Sequence, residues 1–236
     1  AVPGEIPARS AGGVAHERLA QPVKHPLRVP FEEATYMGKK KTIRGVVTDE
    51  RGAALEGATV GLKNSQSEDI FATTTDKNGE YLLEADSGYY PFLYAVKEYA
   101  DNFLEYWCQN IALADDMVIN ALIDRLEVYG LHCFVIKGAY PALTIYFRPM
   151  SLAKYQAGRE DIAPDLSSET VSVSANGYPL RVYLLNTVEE FAGDRSMTAY
   201  LMQASYPSEL LPEGQNFLDI RVADEVGDMG EASLYF

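Results

Sequence analysis

Four aromatic side chains of a type that binds ligands fall within one short segment of the chain. They are Tyr94, Tyr99, Tyr106 and Trp107. Tyr and Trp combine a large flat surface with a polar group, which suits stacking on a sugar ring or contact with a protein. The same rings would also fit the core of a β-protein or the seam between two domains. A ligand platform and a packing role are therefore both open interpretations of this segment.

Acidic residues form a second candidate site near the end of the chain. Asp224, Glu225 and Asp228 cluster in a turn that contains Gly227. Calcium binds several oxygen atoms that such loops supply, although the spacing of an EF-hand is absent here. The sequence thus makes calcium the one ion to consider, with a solvated acidic turn as the alternative. No other cofactor is predicted.

Catalytic patterns are missing from the sequence. The three histidines, His16, His25 and His132, are scattered, and no HExxH, CxxC or GxSxG motif occurs. His132 precedes Cys133 in a strand-like run, so the two side chains should point to opposite faces. We therefore predict no catalytic residues and no enzymatic activity. A hydrolase with an unrecognised pocket is the remaining enzymatic alternative.

The two cysteines, Cys108 and Cys133, lie in hydrophobic, strand-like surroundings. They could form one disulfide between the two halves of the chain, provided that their geometry allows it. They could equally be buried free thiols, since free cysteine packs like a small hydrophobic residue.

Composition narrows the partners and the location. The chain of 236 residues has a formal net charge of −14 and a pI near 4.6, which disfavours binding to nucleic acid. No apolar run reaches the length of a transmembrane helix, and no signal peptide is visible at residues 1–7. An extracellular or cell-surface location is inferred from the fold described next.

Turn signals divide the chain into an arm and two β-units. Residues 1–40 contain five prolines between positions 3 and 30, which favours an extended arm. Residues 41–127 and 128–236 each show short alternating strands between Gly, Asn and Asp turns. The predicted fold is all-β, with two tandem β-sandwich domains after the arm. Strong hairpin signals are Asn78-Gly79 and Asn176-Gly177. A short helix is predicted at 152–156 or 188–191, and one strand is predicted at 117–125.

Residues 42–84 carry turns and core positions at offsets that match a known family. The matching residues are Gly45, Val46, Val47, Thr48, Asp49, Gly52, Gly57, Ala58, Thr59, Val60, Thr74, Thr75, Asp76 and Gly79, followed by Tyr81, Gly88 and Tyr89. This pattern resembles the carboxypeptidase regulatory-like family, a transthyretin-like (prealbumin-like) β-sandwich. The resemblance implies a prealbumin-like domain at about 42–127.

The second unit resembles, more loosely, an Ig-like module of bacterial surface proteins. The similarity is carried by residues 171–177, 214–216, 219–222 and 224–228. Members of both families occur as accessory domains on secreted enzymes and surface proteins, and they usually carry no active site. The resemblance implies a non-catalytic extracellular or cell-surface accessory protein that mediates protein interaction or domain spacing. A protein partner or surface assembly is expected. The alternative is a carbohydrate-binding module that uses residues 94–107 to bind a polysaccharide.

Overall fold

A computed structural model of the chain describes residues 38–191 and 196–236, so most of the predicted arm lies outside the described residues. Nearly all regular structure is strand, which confirms the all-β fold class. The elements are β1 (Lys40–Thr48), β2 (Thr59–Lys63), β3 (Asp69–Thr74), β4 (Glu80–Asp86), β5 (Gly88–Val96), β6 (Tyr106–Leu113), β7 (Met117–Val118), β8 (Ala121–Leu122), β9 (Leu126–Phe134), β10 (Ala142–Ser151), α1 (Leu152–Gln156), β11 (Val171–Ala175), β12 (Tyr178–Leu180), β13 (Val182–Phe191), β14 (Ser196–Ser205), β15 (Phe217–Ala223) and β16 (Met229–Tyr235).

The strands form one long sheet and two smaller ones. The long central sheet has the order β12-β11-β15-β16-β6-β5-β2-β3. A first cover sheet has the order β4-β1-β7, and β8 also pairs with β1. A second cover sheet has the order β13-β14-β10-β9. The central sheet therefore takes strands from both halves of the chain.

Two hydrophobic cores lie on opposite faces of the central sheet. Alternation along β6 places Tyr106 and Cys108 in the first core, which is built from residues 43–123. The register pairs Ala232 of β16 with Trp107, so both side chains lie on the face of the sheet away from Tyr106 and Cys108. Ala232 belongs to the second core, which is built from residues 126–234. The first cover sheet thus encloses the first core on one face of the central sheet. The second cover sheet encloses the second core on the other face, over a different part of the central sheet.

The two halves of the central sheet meet where β6 and β16 pair in parallel. The register joins Trp107 to Ala232 and Cys108 to Ser233. The cores divide near the predicted boundary between residues 127 and 128, but the sheet continues across it. The division into domains at 41–127 and 128–236 stays a prediction.

Turn chemistry explains which hairpin signal formed a hairpin. Asn176 and Gly177 both have positive φ, at 51° and 80°, and they join β11 to its antiparallel partner β12. This is the backbone conformation that a two-residue hairpin turn requires. The turn at 76–79 also forms, because the Asp76 carboxylate accepts hydrogen bonds from the amides of Asn78 and Glu80. It leads from β3 of the central sheet to β4 of the first cover sheet, so the predicted hairpin there was wrong.

Two other segments differ from the sequence prediction. The helix expected at 152–156 is present as α1, whereas 188–191 belongs to the long strand β13 paired with β14. The run at 117–125 is not one strand. It divides into β7 and β8 around Asn120, whose side-chain oxygen accepts a hydrogen bond from the Val46 amide. In both segments, pairing with distant strands determined the secondary structure more strongly than local propensity did.

The shared sheet predicts that the two cores unfold together. Ile111 lies in the first core and Ile145 in the second, and both are fully buried. Truncating either to Ala should cost about 2–5 kcal/mol of unfolding free energy and lower the midpoint of one common thermal transition. Calorimetry on Ile111→Ala and Ile145→Ala measures this, with the exposed Val118→Ala as control. Two separate transitions, each shifted by only one variant, would contradict the shared sheet.

Candidate functional site

The four predicted aromatic residues do not share one surface. Tyr94 and Trp107 face each other across β5 and β6, whereas Tyr106 points into the first core and Tyr99 lies in the loop before β6. Tyr94 is 5% exposed and Tyr106 is fully buried. Tyr99 and Trp107 are half-buried. The four rings therefore do not form an exposed flat platform in this structure, and a ligand-binding role for them stays a prediction.

Part of the segment belongs to a row of rings with a cation at each end. The Lys63 ammonium lies 4.4 Å from the centre of the Tyr94 ring, and Tyr94 lies 6.2 Å from Trp107. Trp107 in turn contacts Tyr129 of β9 at 6.5 Å, and the Arg148 guanidinium lies 4.5 Å from the Tyr129 ring. Cation–π contacts of this kind contribute roughly 0.5–2 kcal/mol each. The row thus connects the central sheet to the edge of the second cover sheet.

Glycine makes room for the first ring of this row. A Cβ atom on Gly61 would lie 2.7 Å from Cε1 of Tyr94, closer than carbon atoms approach. The Tyr94 ring therefore lies across the bare backbone of β2. Lys63, which covers the ring, is held by an ion pair of 2.7 Å to Asp69.

A buried carboxylate holds two of the predicted aromatic residues. Glu127 is 2% exposed and accepts a hydrogen bond of 2.9 Å from the Trp107 indole nitrogen. The Tyr99 hydroxyl donates to the same carboxylate at 3.5 Å, and the amide of Glu105 donates at 3.3 Å. Burying a carboxylate is costly unless several donors reach it. Sequence reasoning missed Glu127, although a charged residue within the apolar strand run 126–134 was a usable signal.

The three predicted calcium residues differ in their surroundings. One Asp224 carboxylate oxygen accepts hydrogen bonds from the amides of Val226 and Asp228. Asp228 forms an ion pair of 3.2 Å with Arg125, and Glu225 is exposed. In the stretches 38–191 and 196–236, no three His, Cys, Asp or Glu side chains are arranged to hold a metal. A calcium role for Asp224, Glu225 and Asp228 stays a prediction.

The cysteines and the histidine that the structure describes do not form a reactive group. Cys108 lies in the first core and Cys133 packs against the second, and both are free thiols rather than a disulfide. Burial raises the pKa of Cys133 to about 12 and that of Cys108 further, which suppresses the reactive thiolate. The His132 ring instead lies 6.2 Å from Tyr146, on the strand face opposite Cys133, as predicted.

A polar cluster lies beside the joint between β6 and β16. The Tyr106 hydroxyl donates to the Ser233 hydroxyl at 2.8 Å, and Ser233 donates to Asp219 at 2.8 Å. Glu231, on the next position of the same face, pairs with Arg221 and is 4% exposed. Burial, together with the nearby charge of Asp219, raises the pKa of Glu231 to about 7. Two carboxylates and one guanidinium thus share a largely buried site next to the joint.

Several exposed apolar side chains lie at the far end of the second cover sheet. We call this set the apolar tip, and it consists of Phe134, Val135, Ile136, Tyr140, Tyr183 and Leu184, which are all exposed. The register aligns Phe134, through β10 and β14, with Leu184 of β13. Tyr140 and Tyr183 contact each other edge to face at 6.2 Å. Phe134 and Leu184 lie on the two outermost strands of this sheet, with Thr144 and Gln203 between them, and Tyr140 of the loop 135–141 reaches Tyr183, the neighbour of Leu184.

The fold defines an all-β protein built around a prealbumin-like first unit. Residues 42–107 match the model of the carboxypeptidase regulatory-like domain, which confirms the resemblance that the turn pattern indicated. The match covers less than half of the 236 residues and ends at residue 107, before the second unit begins. The Ig-like resemblance of the second unit stays a prediction.

The solved structures that match this chain are remote from it in sequence and have low TM-scores. The major pilin subunit BcpA of Bacillus cereus is 13% identical, with 83% of this chain and 67% of that chain covered and a TM-score of 0.28. A DUF3823 family protein from Bacteroides ovatus is 12% identical, with coverage of 83% and 98% and a TM-score of 0.28. A DUF3823 family protein from Parabacteroides merdae is 12% identical, with coverage of 78% and 91% and a TM-score of 0.29. At this level of similarity no function transfers to this chain.

Neither curated proteins nor membrane-spanning helices give a further indication of function. The search of curated proteins found no match to this sequence. Within residues 38–191 and 196–236, no helix has the length and apolar character needed to span a bilayer.

The raised pKa of Glu231 predicts a pH dependence of stability. Its folded-state pKa of about 7 exceeds the ordinary value of 4.5, so the proton favours the folded chain between these values. The free energy of unfolding should therefore fall as the pH rises from 4.5 to 7, by at most about 1.4 kcal/mol per pH unit from this group.

Urea unfolding of the wild type and of Glu231→Gln across this pH range measures the contribution. The variant cannot titrate at position 231, so its unfolding free energy should change less with pH than that of the wild type. Identical slopes for both proteins would show that Glu231 ionises normally in the folded chain.

Proposed function

We propose that this chain is a non-catalytic accessory protein of the cell surface or extracellular space that binds another protein through the apolar tip. The observation that carries the proposal is the set of exposed apolar side chains at one end of the second cover sheet, residues 134–136, 140, 183 and 184, in which Tyr140 contacts Tyr183. Monomeric proteins seldom expose apolar patches of this kind unless the patch contacts a partner. Tyrosine is also enriched at the centre of protein interfaces.

The strand beside the tip supports the same function. β13 is ten residues long and pairs with β14, and among the described strands it has no partner on its other edge. An open edge offers main-chain donors and acceptors to an extended segment of another protein. A partner strand added to β13 would lie alongside Tyr183 and Leu184, which are residues of β13. Main-chain pairing and apolar contact would then act on one partner together.

The absence of catalysis is part of this proposal and rests on the site residues. Burial raises the pKa of both cysteine thiols, which suppresses nucleophilic thiolate. The acidic side chains of Asp219 and Glu231 are tied to Ser233 and Arg221 beside a buried strand joint. The role proposed for the chain is therefore binding and spacing rather than chemistry.

Site-specific photo-crosslinking tests the proposed interface. A benzophenone side chain at position 140, which is 76% exposed, should crosslink the intact protein to a discrete protein partner on the cells that produce it. Phe191 is 73% exposed at the other end of β13, about 30 Å away along the strand, and serves as the matched control position.

The double variant Tyr183→Ser, Leu184→Ser should abolish the crosslink from position 140, because it removes the apolar contact without touching either core. Equal crosslinking from positions 140 and 191, or no product from position 140, would contradict the proposal. Crosslinking to a second copy of the chain would identify the protein partner as the chain itself.

A further inference from the structure

Arg148 differs from the other buried or half-buried basic side chains that the structure describes. Its Nε atom is enclosed by protein, yet no hydrogen-bond acceptor reaches it. Its guanidinium stacks on the Tyr129 ring instead of pairing with an acid. The comparable cations each meet a carboxylate or carbonyl oxygen: Lys41, Lys63, Lys97, Arg125 and Lys154. Arg148 thus carries a charge without a counter-ion in the described part of the chain.

An unpaired, partly desolvated cation is costly, so its presence calls for an explanation. The chain has 34 acidic residues against 20 basic ones, which makes a protein counter-ion easy to supply. None of the carboxylates in the described residues forms an ion pair with Arg148. The positive charge is therefore available to an anion from outside the protein.

The backbone of β9 lies close to the Arg148 guanidinium. Gly130 has a φ of +61°, and a Cβ atom there would lie 3.3 Å from Nη2 of Arg148. The pairing of β9 and β10 shifts register between Tyr146 and Arg148, which produces this irregular geometry. Glycine thus lets the guanidinium lie against the backbone while Tyr129 covers one face. The nitrogens of a guanidinium form a planar fork of donors, which matches the two oxygens of a carboxylate.

The neighbouring side chains favour a ring-shaped ligand with hydroxyl groups. Tyr146 lies next to Arg148 along β10 and contacts the His132 ring, while Trp107 lies beyond Tyr129. Burial and a hydrogen bond to Glu190 raise the pKa of Tyr146, so its hydroxyl remains a neutral hydrogen-bonding group. Aromatic faces with hydroxyl groups at their edges suit a sugar ring better than an extended acidic peptide.

We propose that Arg148 binds the carboxylate of a uronic-acid residue in an acidic polysaccharide, with the sugar ring against Tyr129 and Tyr146. This site is separate from the proposed protein interface. It shares no residue with the apolar tip: Phe134 of the tip pairs with Thr144 of β10, and Arg148 lies four residues further along that strand, about 13 Å away. The site also differs from the predicted segment 94–107, to which it is joined only through Trp107.

Isothermal titration of the intact chain with a galacturonic acid tetramer and a mannuronic acid tetramer tests the site. At least one tetramer should bind, and its fully methyl-esterified form should bind at least tenfold more weakly because the ester removes the charge. Arg148→Gln should weaken binding at least tenfold. Arg148→Lys should weaken it less, since lysine keeps the charge but loses the fork.

Arg181→Gln is the matched control, because Arg181 also stacks on a tyrosine, Tyr183, but at the apolar tip. Its affinity for the tetramer should equal that of the wild type. Thermal unfolding of each variant confirms that it is folded before titration. The proposal is overturned if neither tetramer binds, or if the methyl ester binds as tightly as the free acid. It is also overturned if Arg148→Gln and the control Arg181→Gln weaken binding to the same extent. Binding of poly-glutamate at Arg148, with no binding of the sugars, would overturn it as well.

Discussion

The parallel pairing of β6 with β16 is the constraint on which the rest of the structure depends. It joins strands that are more than a hundred residues apart and makes one sheet out of two sets of strands. Side chains reinforce the joint on both faces. The Tyr106 hydroxyl reaches Ser233 on one face, and the Gln109 amide donates to the Leu131 carbonyl of β9 at 2.5 Å. Because the two cores use opposite faces of this sheet, each cover sheet depends on the same joint.

Polar groups close to the joint are satisfied by partners from distant segments. Glu127 gathers donors from Tyr99, Glu105 and Trp107, and so fixes the loop before β6 against β9. Buried carboxylates of this kind stabilise one arrangement over others when their donors are complete, and they are costly when a donor is missing. The aromatic residues that looked like a ligand platform are largely used here, in packing the two β-units together. Arg148, at the outer end of the aromatic row, is the contrasting case of a charge left without a protein partner.

Local signals in the sequence predicted most strands and the carboxypeptidase regulatory-like segment, because glycine and asparagine turns and two-residue alternation are properties of neighbouring residues. The Asn176-Gly177 hairpin is one such case. The sheet to which a strand belongs is set by distant pairing instead. The turn at 76–79 formed as the residues indicated, yet it connects two sheets, and 188–191 became strand through its pairing with β14. The partial burial of Trp107 and the lack of a counter-ion for Arg148 likewise depend on contacts with β9. Such contacts between distant segments cannot be predicted from the residues adjacent in sequence.

Amide hydrogen exchange across the joint tests the shared sheet most directly. The paired segments around Cys108 and Ser233 should exchange only through global unfolding, with the same free energy as the slowest amides in the two cores. Urea should lower that free energy with the full slope of global unfolding at both positions. Exchange of the Ser233 segment by a separate opening, while the Cys108 segment and the first core stay protected, would show that β6 and β16 do not form one sheet.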